Sequence, residues 1–240
     1  MGASLLRNPW TWALAALVPL TLFPAIDIGT SALFYDAAGR GFPFRVHPLG
    51  EFARKTLPIF LFIAAGLIAL GGAASALLKR PVAGIDPRKA LLVVVSLALG
   101  PGLMVNVVLK DNWGRPRPST IAEFNAGHTP ALRYTPPLII SDQCPDNCSF
   151  PSGHAALGFW TVSLALMAPP RRRRIAVMAG LGFGLAMGLV RIAQGGHFLS
   201  DVAYSGVIVV GLIMGLHRLI PRPDRSAARK NNETEAFRAP

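Results

Sequence analysis

Three short runs hold the residues able to do chemistry in this chain: KDNWGRPRP, from Lys110 to Pro118; PSGH, from Pro151 to His154; and RIAQGGHFLSD, from Arg191 to Asp201. His197 and Asp201 are four residues apart, so on a helix they share a face and the carboxylate can accept the imidazole Nδ1 hydrogen. Nε2 is then free and basic, which is the orienting half of a catalytic triad. Taken alone, a pair at this spacing more often makes an ordinary hydrogen bond. Its neighbours shift the balance. Lys110, Arg117 and Arg191 supply three positive charges, and guanidinium forks match the oxygens of a phosphate. Pro116 and Pro118 interrupt any helix, which puts Arg117 on a rigid, extended stretch. In PSGH, Pro151 preorganises a turn and Gly153 admits a close ligand. The amides of Ser152, Gly153 and His154 would face outward at a helix N-terminus, an anion site by geometry and dipole. Gly195 and Gly196 would give similar room beside His197.

Two histidines and an anion cradle imply a division of labour. One must attack phosphorus and the other must protonate the departing oxygen, because an alkoxide is a poor leaving group at neutral pH. His197, with its carboxylate partner, fits the nucleophile of covalent catalysis, and His154, beside the cradle, fits the acid. No carboxylate cluster, HxH or DxD pattern offers a Mg²⁺ or Zn²⁺ site, so no metal or other cofactor is expected. The cationic side chains would neutralise charge in a metal's place.

The elements that carry these residues are apolar. The 240 residues are 52% hydrophobic and 15% charged, with mean hydropathy +0.44, too apolar for a typical water-soluble domain. A soluble all-α protein is disfavoured because six buried helices would leave too little polar surface. Six apolar runs occur, at Trp10–Ile26, Leu57–Leu78, Ala90–Leu109, His154–Ala168, Ile175–Val190 and Val202–Ile220. A bilayer core requires about 20 such residues, or about 17 at the least. The fourth and fifth runs meet this only if polar flanks such as Gly153 and Arg191 are wound into the helix ends. The fold expected is an all-α, polytopic bundle of six transmembrane helices over residues 1–220, with a disordered cytoplasmic tail over 221–240. The first run is too long for the apolar part of a signal peptide and is counted as a span.

With six spans, the side holding both termini and Arg171 to Arg174 carries 15 of the 24 Lys and Arg, which places it in the cytoplasm. Net charge +12 is therefore read as topology signal and headgroup contact, with no nucleic-acid partner. The loop from Lys110 to Gly153 faces outward, and all three motifs meet on that face. A single basic residue at a span end is usually a snorkelling anchor, but two histidines, a carboxylate and three cations converging from three spans are not explained that way. Cys144 and Cys148, in CPDNC, lie in the same loop, where an oxidising compartment favours a disulfide over two free thiols.

Lys110 with Arg117-Pro118 after six intervening residues, then Pro151-Ser152-Gly153-His154, then Arg191, His197 and Asp201, resembles the three-part signature of the type 2 phosphatidic acid phosphatase superfamily, which includes vanadium haloperoxidases. The resemblance covers about ninety residues in order and spacing, and the six-span layout is similar to the membrane-embedded branch. It implies a metal-independent lipid phosphatase with a phosphohistidine on His197, His154 as acid and Asp201 orienting the nucleophile. Lys110, Arg117, Ser152, Gly153 and Arg191 carry over as phosphate ligands. Val190 stands where the family commonly has Ser, which removes one hydroxyl from that set. SDQCPDNCSFPSGH, with KDNWGRPRP, is similar to bacterial lipid A 1-phosphatases and phospholipid phosphatases. The substrate expected is a phosphorylated membrane lipid: lipid A 1-phosphate first, then phosphatidylglycerophosphate or undecaprenyl diphosphate. The site would face the periplasm from the bacterial inner membrane. Intramembrane charge alone would also suit a transporter or scaffold that binds phospholipid without cleaving it, but binding has no use for the two histidines. Asp27, Arg45, His47, Glu51, His128, Arg133 and Tyr134 are read as interfacial residues or headgroup contacts.

Overall fold

Proline opens five of the helices, at Pro9, Pro24, Pro48, Pro87 and Pro170, where its missing N–H goes unused and its fixed φ suits the first turn. Side-chain caps complete several starts: Asn8 accepts from the Trp10 amide at 3.0 Å and Asp86 from the Arg88 amide at 2.8 Å. The computed structural model describes residues 8–39, 41–124 and 131–220. The tail over 221–240, Arg7 and His128 lie outside the described residues.

Among the described residues seven α-helices follow in order: α1 (Pro9–Leu22), α2 (Pro24–Ala32), α3 (Pro48–Leu77), α4 (Pro87–Leu97, continued by a π-wound Ala98–Lys110 and a last turn Asp111–Trp113), α5 (Gly153–Ala165), α6 (Pro170–Ala193) and α7 (Leu199–Leu219). Among the described residues there are isolated β-bridges and no strand. Backbone polar groups within a bilayer core must be satisfied internally, and helices do this segment by segment. Among the described residues four helices, α3, α4, α6 and α7, are long and apolar enough to cross a membrane, and the bent pair α1 and α2, taken as one span, would make a fifth crossing. The protein is a multi-pass, all-α membrane protein.

Two spans differ from the runs read in the sequence. Trp10–Ile26 is not one straight helix: α1 and α2 meet at Phe23 with an 85° bend, because Pro24 starts a new helix. The bend carries Asp27 into the protein, where it is fully buried. The run beginning at His154 gives α5, only 13 residues, about 20 Å at 1.5 Å per residue and short of the ~30 Å apolar core. It is instead the central element, with nine of its residues buried. Trp160 is fully enclosed and donates its Nε1–H to the Val93 carbonyl of α4 at 3.0 Å. By contrast α3 leaves Ile59, Phe60, Phe62, Ile63, Leu67 and Leu70 exposed, a surface suited to lipid.

Close packing fixes α5 against α6. A Cβ on Gly158 would sit 2.8 Å from the Gly184 Cα, so only the small pair allows the backbones to approach this closely. Pro101 lies inside α4 and cannot donate in the helical ladder, and the helix there is π-wound. Asn106 Nδ2 returns a hydrogen bond to the Pro101 carbonyl at 2.7 Å. A second π-wound stretch, Phe52–Thr56, lies near the start of α3.

Candidate active site

Each motif is delivered by a helix end. Lys110 closes the π-wound part of α4; Gly153 and His154 open α5; Arg191 lies in the last turn of α6; Asp201 lies in the first turn of α7. His197 occupies the tight link between α6 and α7, after Gly195, whose φ of +63° suits glycine and whose absent Cβ leaves room for the Phe42 ring. Arg117 is extended, at φ −84° and ψ 156°, between its two prolines. The Ser119 amide donates to the Gly195 carbonyl at 3.0 Å, which ties the Arg117 stretch to the His197 link.

Arg117 is also anchored to the cysteine loop. Its Nε and Nη2 donate to the Asn147 carbonyl at 3.0 and 2.6 Å, and a disulfide joins Cys144 to Cys148 around that residue. A cavity of about 470 Å³ opens beside Arg117 and Arg191, and is also lined by Ser119, Gln194, Gly195 and Gly196. An apolar cavity of about 350 Å³ lies against Lys110, Gly153 and His154. Arg191 is 6% exposed and donates from Nη1 to Gln194 Oε1. Arg191 Nε and Gln194 Nε2 are both buried without a protein partner, and both residues line this cavity.

The geometry around His197 departs from the sequence expectation. The imidazole is 1% exposed, and its Nδ1 donates to the Ser149 carbonyl at 2.6 Å. Asp201 lies 3.7 Å from Nδ1, close enough for its charge to act but beyond hydrogen-bond reach. A carbonyl can only accept, so Nδ1 carries the hydrogen and Nε2 keeps its lone pair. Burial pushes the His197 pKa down to about 3, partly offset by Asp201, so the ring is neutral at physiological pH.

Asp201 has different partners. It is fully buried, ion-paired with Arg115, and accepts from Ser149 Oγ at 2.5 Å and from the Phe198 amide at 2.8 Å. Arg115, also fully buried, pairs with Asp27 at 2.8 Å and donates to Ser200 Oγ at 2.8 Å, the Thr135 carbonyl at 2.7 Å and Tyr134 Oη at 3.1 Å. Its guanidinium packs over the Phe198 ring at 4.5 Å. Burial, with the Asp27 carboxylate alongside, raises the Tyr134 pKa above its ordinary value and keeps the hydroxyl protonated, so that it donates to Asp27 at 2.9 Å.

The PSGH cradle is also modified. Ser152 caps α5 through Oγ, which accepts from the Ala155 amide at 3.4 Å, and its own amide donates to the Asp201 carbonyl at 3.3 Å. That amide is therefore committed to the protein, and Ser152 is fully buried. His154 Nε2 donates to the Arg54 carbonyl in the π-wound stretch of α3 at 3.0 Å. Sequence reasoning missed Arg115, Ser149, Gln194 and the role of the Arg54 carbonyl, and it read Asp27, which is fully buried and paired with Arg115, as an interfacial residue or headgroup contact. For Asp27 a signal existed, since a carboxylate within an apolar run is expensive unless paired. Among the described residues no group of three His, Cys, Asp or Glu converges as metal ligands would.

The PAP2 superfamily model matches residues 89–225. The lipid A 4′-phosphatase of Francisella tularensis subsp. novicida is 39% identical over 194 residues, which cover 78% of this chain and 83% of the relative. Lipid A 4′-phosphatases of Rhizobium etli and Rhizobium leguminosarum are 31% and 32% identical, each over 86% of this chain and over 84% and 93% of the relatives. No solved structure matches. The family match spans all three motifs, and the chain belongs to the PAP2 superfamily as a membrane phosphatase, a phosphoric monoester hydrolase.

Proposed function

We propose that this protein removes the 4′-phosphate of lipid A at the periplasmic face of the bacterial inner membrane, through a phosphohistidine on His197. The loop motifs alone point to the 1-phosphate, but the relatives are named for the 4′ position, and the reading follows them. The observation that carries the chemistry is the hydrogen bond from His197 Nδ1 to the Ser149 carbonyl, which leaves a neutral ring with its Nε2 lone pair available. That lone pair attacks phosphorus, the bond to the sugar oxygen breaks, and the oxygen takes a proton from His154. With Nε2–H held by the Arg54 carbonyl, the proton transferred is a second one on Nδ1, so His154 enters the step as the imidazolium; burial, with the Arg191 charge beside it, lowers its pKa to about 4, and the negative charge of the bound phosphate has to raise it. The imidazole of His197 gains positive charge as it attacks, and Asp201, 3.7 Å away, stabilises it. Lys110, Arg117, Arg191 and the Gly153 amide hold the phosphoryl oxygens. Water then attacks the phosphohistidine, returns a proton to His154 and releases phosphate.

A site at the outer ends of membrane helices meets a headgroup while the acyl chains remain in the bilayer. The excess of Lys and Arg on the opposite side supports cytoplasmic termini. The test is phosphate release from lipid A by purified protein in detergent micelles, with mass spectrometry of the product and His197→Ala as control. Loss of the 4′-phosphate by wild type alone is expected, and equal release by both proteins refutes the mechanism. Loss of the 1-phosphate, or turnover only of phosphatidylglycerophosphate or undecaprenyl diphosphate, reassigns the substrate. Binding without release makes the protein a transporter or scaffold. EDTA leaves turnover intact; abolition restored by added metal contradicts catalysis by cationic side chains.

A further inference from the structure

The cavity beside Arg117 and Arg191 holds more positive charge than one phosphate requires. Arg45, from the 3₁₀ turn Pro43–Arg45, and Arg54, from the π-wound start of α3, line it as well. Both come from the N-terminal part of the chain, outside the residues matched by the family model. Four guanidinium groups therefore face one space against a single lining carboxylate, Glu51, which Arg54 and Lys55 share at 2.8 and 2.5 Å. Arg45 and Arg54 lie near enough for their charges to act on both Arg117 and Arg191. A phosphate monoester carries about −1.5 to −2 at neutral pH, less than this lining offers. The volume, about 470 Å³, is that of a site for a whole small molecule rather than one ion. Gln194, 3% exposed, adds a buried amide donor with no protein partner.

We propose that Arg45, Arg54 and Gln194 form a second anion subsite, which holds another acidic group, carboxylate or phosphate, of the same headgroup beside the phosphate being removed. The inference rests on the lipid-phosphatase reading above and deepens it: the preferred headgroup carries a second anionic group that reaches the same cavity as the phosphate being removed. Arg45 leads, because Arg54 is already paired with Glu51.

The test uses two amphiphiles that differ only by one carboxylate, N-dodecanoyl-O-phosphoserine and N-dodecanoyl-O-phosphoethanolamine, with the full chain in neutral detergent micelles. Wild type favours the phosphoserine compound in kcat/KM. Arg45→Gln lowers that preference about tenfold, the loss expected for one partly solvated charge-assisted hydrogen bond. Arg45→Lys retains part of it, and Arg45→Gln with Arg54→Gln abolishes it. An equal loss on both compounds, or no loss on either, overturns the proposal. Calorimetric titration of His197→Ala protein with the same pair reads the preference as binding without turnover. The subsite is therefore judged even if hydrolysis fails, and equal affinity for both compounds overturns it. A last arm repeats the kinetics in phosphatidylcholine vesicles with and without phosphatidylglycerol. If Arg45→Gln acts only when the anionic lipid is present, and alike on both compounds, Arg45 contacts the bilayer surface and the proposal is wrong.

Discussion

Arg115 offers the sharpest test of how this site is held. Its guanidinium is fully buried between two fully buried carboxylates, Asp27 and Asp201, and it bonds in addition to Ser200, Thr135 and Tyr134. Arg115→Met keeps much of the side-chain length and removes the charge, which leaves both carboxylates without their cation. Breaking a buried ion pair from one side costs about 3–5 kcal/mol. For a domain of this size each kcal/mol moves Tm by roughly 2–4 °C, so the variant melts about 6–20 °C lower. Asp27→Asn costs less, because Arg115 keeps Asp201, and the double variant melts closer to wild type than the two shifts summed. The readouts are thermal unfolding in detergent and steady-state turnover of dodecyl phosphate. Because Arg115 acts through Asp201 and lines neither cavity, kcat falls far more than KM rises. A Tm shift below about 2 °C in Arg115→Met, or strictly additive shifts in the double variant, refutes a buried charge relay centred on this residue.

On a substrate with two anionic groups, Gln194→Ala lowers kcat/KM about tenfold by removing one donor from the second anion subsite, and Gln194→Glu lowers it further by placing a like charge there; equal activity of all three forms would separate Gln194 from the site. Reducing Cys144–Cys148, or Cys144→Ser, loosens the Asn147 carbonyl that holds Arg117, so KM rises several-fold with kcat less affected, and an Arg117→Ala background removes the effect. His197 titrates at about 6.5 when unfolded and at about 3 when folded. Its contribution to stability is therefore full above pH 6.5 and is lost as pH falls towards 3, seen as a falling Tm that His197→Gln flattens. The nucleophile stays unprotonated across this window, so an imidazole resonance of labelled protein that titrates near pH 6.5 and is absent from His197→Gln would contradict its burial.

Much of the architecture was legible because apolar helices in a bilayer have little freedom. The run Val202–Ile220 reappears as α7 with small shifts at its ends, and Leu57–Leu78 lies within α3, which starts nine residues earlier at Pro48. The three motifs were legible for a related reason: a cation, a histidine or a carboxylate at the end of an apolar helix must find water, a ligand or a partner. Residues missed by this logic sit where sequence distance conceals contact. Arg115 is 86 residues from Asp201 and 88 from Asp27, and it stood in the sequence as one more basic residue of an outward loop.

The class of the fold and the three motifs at helix ends could be read from residues alone, since hydropathy and spacing act locally along each helix. Which donor meets which acceptor depends instead on how the helices pack. The spacing of His197 and Asp201 puts them on one helix face, but His197 lies before α7 begins, so its ring turns to the Ser149 carbonyl while Asp201 turns to Arg115. The Ser152 amide, free in a cradle built from PSGH alone, is taken by the Asp201 carbonyl because α7 packs against the start of α5. His154 finds a carbonyl at Arg54 in a π-wound turn of α3 that no residue pattern announces. Spacing states which side chains share a face; the rotation and closeness of neighbouring helices, set by packing over the whole bundle, select their partners.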